Sequence, residues 1–214
     1  MTPLRVSATA VEAWRLFMAP ENDWMSVTDL EAQILGRAPA SPAMALGTAF
    51  GALIEHDGVV NAEGRYVSRG IAFDGASMRD VLARYDRRGL FEVKGTKAYG
   101  DVLVVSKADQ MLGAQLIETK TTLHGFDFEK YAASLQWRLM ADMFAPAVVT
   151  YRVALLAEPE PCVFAVKELV QFDLFPYADL HRDCCAAVAG FREFVVARGL
   201  DQALRERQAL VEAA

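Results

Sequence analysis

The chain has 214 residues, 53% hydrophobic and 23% charged, enough to bury one sizeable core and short enough for one domain. Its formal net charge of -6 argues against non-specific nucleic-acid coating, because neutralising phosphate takes lysine and arginine near the strand, so any such contact needs a local basic surface. The opening MTPLRVSATAVEAW lacks the basic start, apolar run and cleavage site of a leader, and no stretch approaches the roughly 18 apolar residues of a membrane span.

A soluble, cytoplasmic protein without membrane contact is expected, arranged as a single domain over residues 1–214: a helical N-terminal part over 1–70, a core over 71–198 and a tail over 199–214. Cys162, Cys184 and Cys185 show neither a disulfide framework nor the CxxC spacing of a zinc site, and are expected to be buried thiols.

Three helices are predicted to open the chain: about Thr9 to Met18; Asp29 to Leu35 behind Thr28, with Glu31 three residues on; and Ala43 to His56 behind Ser41-Pro42, ended by Gly58. A further helix from Ser77 to about Arg88 carries Arg79, Arg84, Arg87 and Arg88 against only Asp80 and Asp86. Charge runs usually just solvate a surface, but this local excess opposes the acidic total and is the expected phosphate-contacting patch.

From Leu90 the pattern changes to β-prone runs, Phe91 to Lys97, Val102 to Ala108 and Ala114 to Thr121, separated by Tyr99-Gly100-Asp101 and Met111-Leu112-Gly113. Asp127 is placed to cap a helix to Phe144, with Phe128, Tyr131, Leu135, Leu139 and Met143 as its buried stripe. Val148 to Leu156 and Val163 to Phe172 are two more predicted strands, and Tyr177 to Arg198 a closing helix. The tail after Gly199, with Arg205 and Arg207, is expected to be a solvated helical end.

Side chains alternate along a strand, so Ala114 to Lys120 puts Leu116, Glu118 and Lys120 on one face. Asp109 ends the strand before it. Two carboxylates from neighbouring strand ends suit a hard divalent cation, to which the Thr119 carbonyl could add an oxygen. Such a cation polarises a phosphate and acidifies a bound water, while a lysine beside it orients or deprotonates that water. The competing reading of Glu118 and Lys120 is an exposed cross-strand ion pair. A second Glu-x-Lys, Glu92-Val93-Lys94, serves as a control: its nearest upstream acids, Asp86 and Asp80, fall in the arginine-rich helix and not at a strand end.

The runs KADQMLGAQLIETKTT and YAASLQWRLMADMF resemble the phage-type exonuclease and RecB-like branch of the PD-(D/E)XK nucleases, and the likeness in element order spans roughly Ser7 to Phe172. It implies an α/β, restriction-endonuclease-like core: a mixed central β-sheet flanked by helices, with an N-terminal helical segment. It further implies a site of Asp109, Glu118, Lys120 and Gln136 with magnesium or manganese. Four residues after Gln136, where the family often has tyrosine, stands Met140. The run LGTAFGALIEH matches a family Gly-x-x-x-His-x-x-x-Glu helix at Gly47 and Glu55 but has Gly51 at the histidine position, so Glu55, or His56 five residues on, would stand in as a metal ligand. Three cysteines cannot supply the four ligands of the iron-sulfur branch.

The function implied is a metal-dependent deoxyribonuclease, an exonuclease working from duplex ends in recombination or repair, beside a single-strand annealing protein in phage-type systems, and able to form a homo-oligomer. A structure-specific or nicking endonuclease and a DNA-binding accessory module with a weakened site are the alternatives.

Overall fold

The computed structural model describes residues 3–56 and 58–212. Strand β1 (Leu4–Ser7) leads into helices α1 (Ala8–Phe17), α2 (Val27–Ile34) and α3 (Pro42–His56). Short strands β2 (Val59–Val60), β3 (Tyr66–Ser68) and β4 (Ile71–Phe73) then precede α4 (Gly75–Leu82). The second half runs β5 (Leu90–Tyr99), β6 (Val102–Leu112), β7 (Gln115–Thr122), α5 (Phe128–Ala132), α6 (Leu135–Phe144), β8 (Val148–Glu160), β9 (Val163–Leu174), α7 (Leu180–Ala197) and α8 (Asp201–Glu212).

All nine strands join one mixed sheet in the order β1-β6-β7-β8-β9-β4-β3-β2, with β5 on the other side of β6. The hairpins β5–β6, β6–β7 and β8–β9 are antiparallel, whereas β1–β6, β7–β8 and β4–β9 are parallel. Gly100 and Gly113, at φ +61° and +59°, sit in the two tight turns of β5–β6 and β6–β7, a conformation that glycine adopts without a Cβ penalty. Helices cover both faces, as expected for a sheet that must bury two apolar surfaces.

Strand β8 shows how one sequence serves both cores. Val149, Tyr151 and Val153 join the larger cluster, with α1, α2, α6 and α7, while Ala154 and Leu156 join a second cluster with Phe50 and Leu53 of α3 and Met78 and Val81 of α4. The α1 helix also serves α6 directly: Glu12 accepts the Leu135 N–H at 2.6 Å, satisfying one of the unpaired donors of a helix start.

Several expectations are corrected. The second helix is capped by Ser26 in a reciprocal box with Asp29, and not by Thr28 with Glu31, because Ser26 sits in extended geometry at the true start. The arginine-rich helix is α4, starting at Gly75 behind Asp74 and ending at Leu82, so only Arg79 of its four arginines is helical. The expected helix from Asp127 to Phe144 breaks at Ala133–Ser134, where Ser134 caps α6 by accepting the Gln136 N–H. The break shifts the phase of the stripe: Leu135 and Leu139 are buried, whereas Phe128 is 43% exposed. The segment 1–70, expected to be helical, also supplies β1, β2 and β3. Of the cysteines, expected to be buried, only Cys184 is so; Cys162 is exposed in the β8–β9 turn and Cys185 is half-buried.

The tail is not simply solvated either. Within the described part, α8 buries Leu204 (4% exposed) in the larger core, and Arg207 donates to the Leu35 carbonyl at 2.9 Å, closing the C-terminal end of α2. Leu204→Ala is therefore expected to cost about 2–4 kcal/mol in urea unfolding; a loss under about 0.5 kcal/mol would mean that α8 does not pack on the core in solution.

Candidate active site

Strand β6 has two edges. One pairs with β5 from Val102 to Met111. The other is shared: β1 takes Val102 to Val105 and β7 takes Gln110 to Leu112. Between them, residues 106–109 have no ladder partner on that edge, and there β7 swings away to pair with β8 along Gln115 to Thr122. The result is a fork between β6 and β7 that opens just beyond the Gln110–Ile117 rung.

Side chains replace the missing ladder bonds. Asp109 donates its backbone N–H to Glu118 Oε1 at 3.3 Å, and Asp109 Oδ2 accepts the Thr119 N–H at 2.8 Å. Lys120 Nζ lies 3.0 Å from Glu118 Oε2. The expected trio of Asp109, Glu118 and Lys120 thus meets at one place. Glu118 is 1% exposed, which removes the reading of an exposed cross-strand pair. The control behaves differently: Glu92 pairs with Lys107 of β6, and both side chains are nearly half exposed at the edge of the cleft.

At the fork Glu118 pairs with the Lys120 ammonium, and the Asp109 carboxylate acts on both through its charge. Burial pushes the Glu118 carboxyl well above its usual range, and Asp109 adds to the push against the opposing pull of Lys120. Burial alone would lower Lys120, but the charges of Glu118 and Asp109 outweigh it and hold the ammonium above its usual range. The aromatic rings of Tyr131 and Tyr151, 5.5 Å apart between centroids, form the low-dielectric wall on that side.

A cleft of about 650 Å³ lies against the fork, walled by Gly47, Gly51, Glu55 and His56 of α3 on one side and by Lys107, Asp109, Thr119, Lys120 and Thr121 on the other. A Cβ at Gly47 would come within 3.3 Å of Thr121 Oγ1, so the small residue lets α3 approach β7. A Cβ at Gly51 would meet nothing within 4 Å, leaving open space where the resemblance expects a histidine. Glu55 and His56 reach the cleft together, 3.3 Å apart. Gln136 sits half-buried in the first turn of α6 and is not among the residues that line the cleft.

Other residues around the site had no sequence motif. Arg69 and Lys107 line the cleft with Phe91 and Met44. Tyr85, 7% exposed, places its hydroxyl 3.5 Å from Thr119 Oγ1, and the Arg152 guanidinium stacks 4.5 Å above its ring. Arg152 also donates to Gln171 at 3.1 Å. The lone charge in the apolar run VVTYRVALLA was the one available signal for it. Of the arginines expected to bind DNA, Arg79, Arg84 and Arg88 are exposed and Arg87 is half-buried; Arg88 is held by Asp86.

Among the described residues no group of three or more His, Cys, Asp or Glu side chains forms a metal cage. Magnesium and manganese do not require one: magnesium takes one or two protein carboxylates and completes its shell with water and phosphate oxygen. The all-oxygen donor set of Asp109 and Glu118 fits such a cation.

A carboxyl whose folded pKa is raised costs no stability below its unfolded value, about 4.3, and costs progressively more above it. Lys120→Met leaves Glu118 and Asp109 without their cation. The variant is expected to be about 2–3 kcal/mol less stable than the parent at about pH 8 in chelator, and nearly equal to it at about pH 4.5. The figure is kept below that of an enclosed pair because the lysine side chain is 30% exposed. Urea unfolding at both pH values checks this; an equal loss at both would assign the effect to packing.

No family model matches the chain, and no curated protein matches it by sequence. Solved structures do match. The alkaline exonuclease LHK-Exo of Laribacter hongkongensis superimposes with a TM-score of 0.52 at 14% identity, covering 98% of this chain and 96% of that one. LHK-Exo in complex with dAMP gives 0.50 at 16% identity, covering 96% and 94%. A protein of Eubacterium rectale, whose description as an exonuclease is provisional, gives 0.54 at 12% identity, covering 92% and 82%. The chain therefore shares the fold of LHK-Exo and of the Eubacterium rectale protein.

Proposed function

We propose that this chain is a divalent-metal-dependent deoxyribonuclease that degrades duplex DNA from its ends. The observation that carries the reading is the fork, where Asp109 and Lys120 line a cleft and the buried Glu118 bonds to both from behind it, although nothing in the ladder requires them there. Asp109 and Glu118, with the Thr119 carbonyl, would hold magnesium or manganese, and Glu55 and His56 would contact it or its waters from α3. When bound, such a cation supplies Lewis-acid polarisation of the phosphate and a more acidic water.

The chain's own residues do the rest. Lys120 supplies a positive charge and N–H donors beside the scissile phosphate, orienting the attacking water and stabilising charge on the phosphoryl oxygens. Arg69 supplies further positive charge along the cleft, where Lys107 is paired with Glu92, and Phe91 and Met44 offer it apolar surface. Thr119 is fixed by Asp109 through its N–H and meets Tyr85 through its hydroxyl, so the strand end is positioned from two sides.

Exonuclease action rests on the fold likeness: LHK-Exo carries that name and was solved with dAMP, and a mononucleotide is the kind of product end-wise hydrolysis releases. The same likeness would place the chain in DNA recombination or repair. The open space above Gly51 favours a second reading, an accessory module that binds DNA without cutting it.

End-labelled linear duplex and closed circular DNA, incubated with magnesium, manganese or chelator, distinguish these readings. Metal-dependent loss of the linear DNA alone is expected, reduced by at least about 10² in Lys120→Ala and in Asp109→Asn. Cutting of closed circles would make it an endonuclease, and binding without cleavage by the wild type would favour the accessory module.

The arginines of the 79–88 segment are proposed as phosphate contacts. Arg84→Ala is expected to weaken DNA binding uniformly across sequences and to reduce the slope of log K against log salt by about 0.9. A slope unchanged in a fluorescence titration would return Arg84 to the role of a solvated surface charge.

A further inference from the structure

A second polar cluster lies outside the cleft, where β5, α6 and α7 meet. Asp142, its side chain only 8% exposed, receives three donors: Lys97 Nζ at 2.8 Å on Oδ1, and the Tyr99 hydroxyl at 2.8 Å and His181 Nδ1 at 2.9 Å, both on Oδ2. The His181 ring stacks on Tyr99, with centroids 6.1 Å apart at 28°. Its far nitrogen, Nε2, lies 3.5 Å from Cys185 Sγ, one helical turn along α7.

These contacts fix the histidine's chemistry. Burial works to raise the Asp142 carboxyl, but hydrogen bonds from Lys97, His181 and Tyr99 outweigh it, and the group stays ionised. An anion at Oδ2 assigns the proton of neutral His181 to Nδ1, leaving Nε2 as an acceptor facing the thiol. An acid that orients a histidine, and a histidine beside a nucleophile, is the arrangement that activates a thiol or hydroxyl. Among the described residues no three acid, histidine or cysteine side chains here form a metal cage, and none of Cys185, His181 or Asp142 lines the cleft.

We propose that Cys185, His181 and Asp142 form a nucleophilic thiol site, distinct from the cleft and independent of the nuclease reading, that takes low-molecular-weight disulfides as its substrates. In the exchange, Nε2 of His181 accepts the Cys185 thiol proton and the thiolate attacks one sulfur of the disulfide. A new bond joins Cys185 Sγ to that sulfur while the original S–S bond breaks. The departing thiolate takes the proton from the imidazolium, so no outside oxidant or reductant is consumed beyond the disulfide itself.

The chain contains its own controls. Cys162 is exposed in the β8–β9 turn with no histidine beside it, and Cys184 is buried, its thiol pushed up to about 12 by burial. If exposure alone governed reactivity, Cys162 would react first.

Full-length protein is incubated with glutathione disulfide near neutral pH, and mixed disulfides are followed over time by peptide mass mapping. Cys185 is expected to be modified about tenfold faster than Cys162, with Cys184 untouched and the adducts reversed by dithiothreitol. His181→Ala, at a side chain 61% exposed, is expected to bring Cys185 down to the rate of Cys162 or below with the circular dichroism spectrum unchanged. Cys185 reacting no faster than Cys162 in the wild type, or equally fast with and without His181, would overturn the proposal. The wild-type comparison alone decides the matter should the variant fail to fold.

Discussion

Two hydrogen bonds that stand outside the sheet ladder, Asp109 N–H to Glu118 and Thr119 N–H to Asp109, set the geometry of the candidate site. A central strand normally has its backbone groups paired on both edges, because a buried unpaired N–H or C=O costs as much as a lost bond. Here β6 gives part of one edge to β1 and part to β7, and the interval between them lets the strands part. The N–H groups of Asp109 and Thr119, which have no ladder partner at the opening, are satisfied instead by the carboxylates of Glu118 and Asp109, so the scaffold and the site chemistry cannot be altered separately at Asp109.

The fork acquires a cleft because α3 is held opposite it. Its apolar side, Leu46, Ala49, Phe50, Leu53 and Ile54, packs in the second core, and Gly47 permits close approach to Thr121. The charged end of the helix, Glu55 and His56, is consequently placed over the cleft without needing contacts of its own. Rigid elements on both sides keep such side chains in place more closely than loops would.

Three groups of buried charge divide the work of the molecule. Lys120 lines the cleft with Glu118 buried behind it, Arg152 stands beside Thr119 on the neighbouring strand against Tyr85, and Asp142 ties β5, α6 and α7 together through Lys97, Tyr99 and His181. Asp142 is saturated with donors, as a buried carboxylate must be to remain ionised. Arg152 is not saturated: its Nη1 is buried without a hydrogen-bond partner among the described residues. A buried cation left short of acceptors strengthens the local positive potential beside the strand that carries Thr119.

The sequence by itself determined the strand chemistry: the alternation that places Glu118 and Lys120 together, the Gly113 turn that brings Asp109 back to them, and the helix that carries Glu55 and His56. These are local or near-local consequences of side-chain period and turn geometry. The limits of α4 and the break before α6 were harder, because caps at Asp74 and Ser134 compete with an apolar period that continues through them. Only the tertiary structure decided that β1 joins β6 in parallel across about a hundred residues, that Gln136 lies off the cleft, that Arg69, Tyr85 and Arg152 gather around the fork, and that His181 stands between Asp142 and Cys185. Each depends on which long-range surfaces bury one another, and hydrophobic burial, being non-directional, leaves no short-range signature of its partner in the chain.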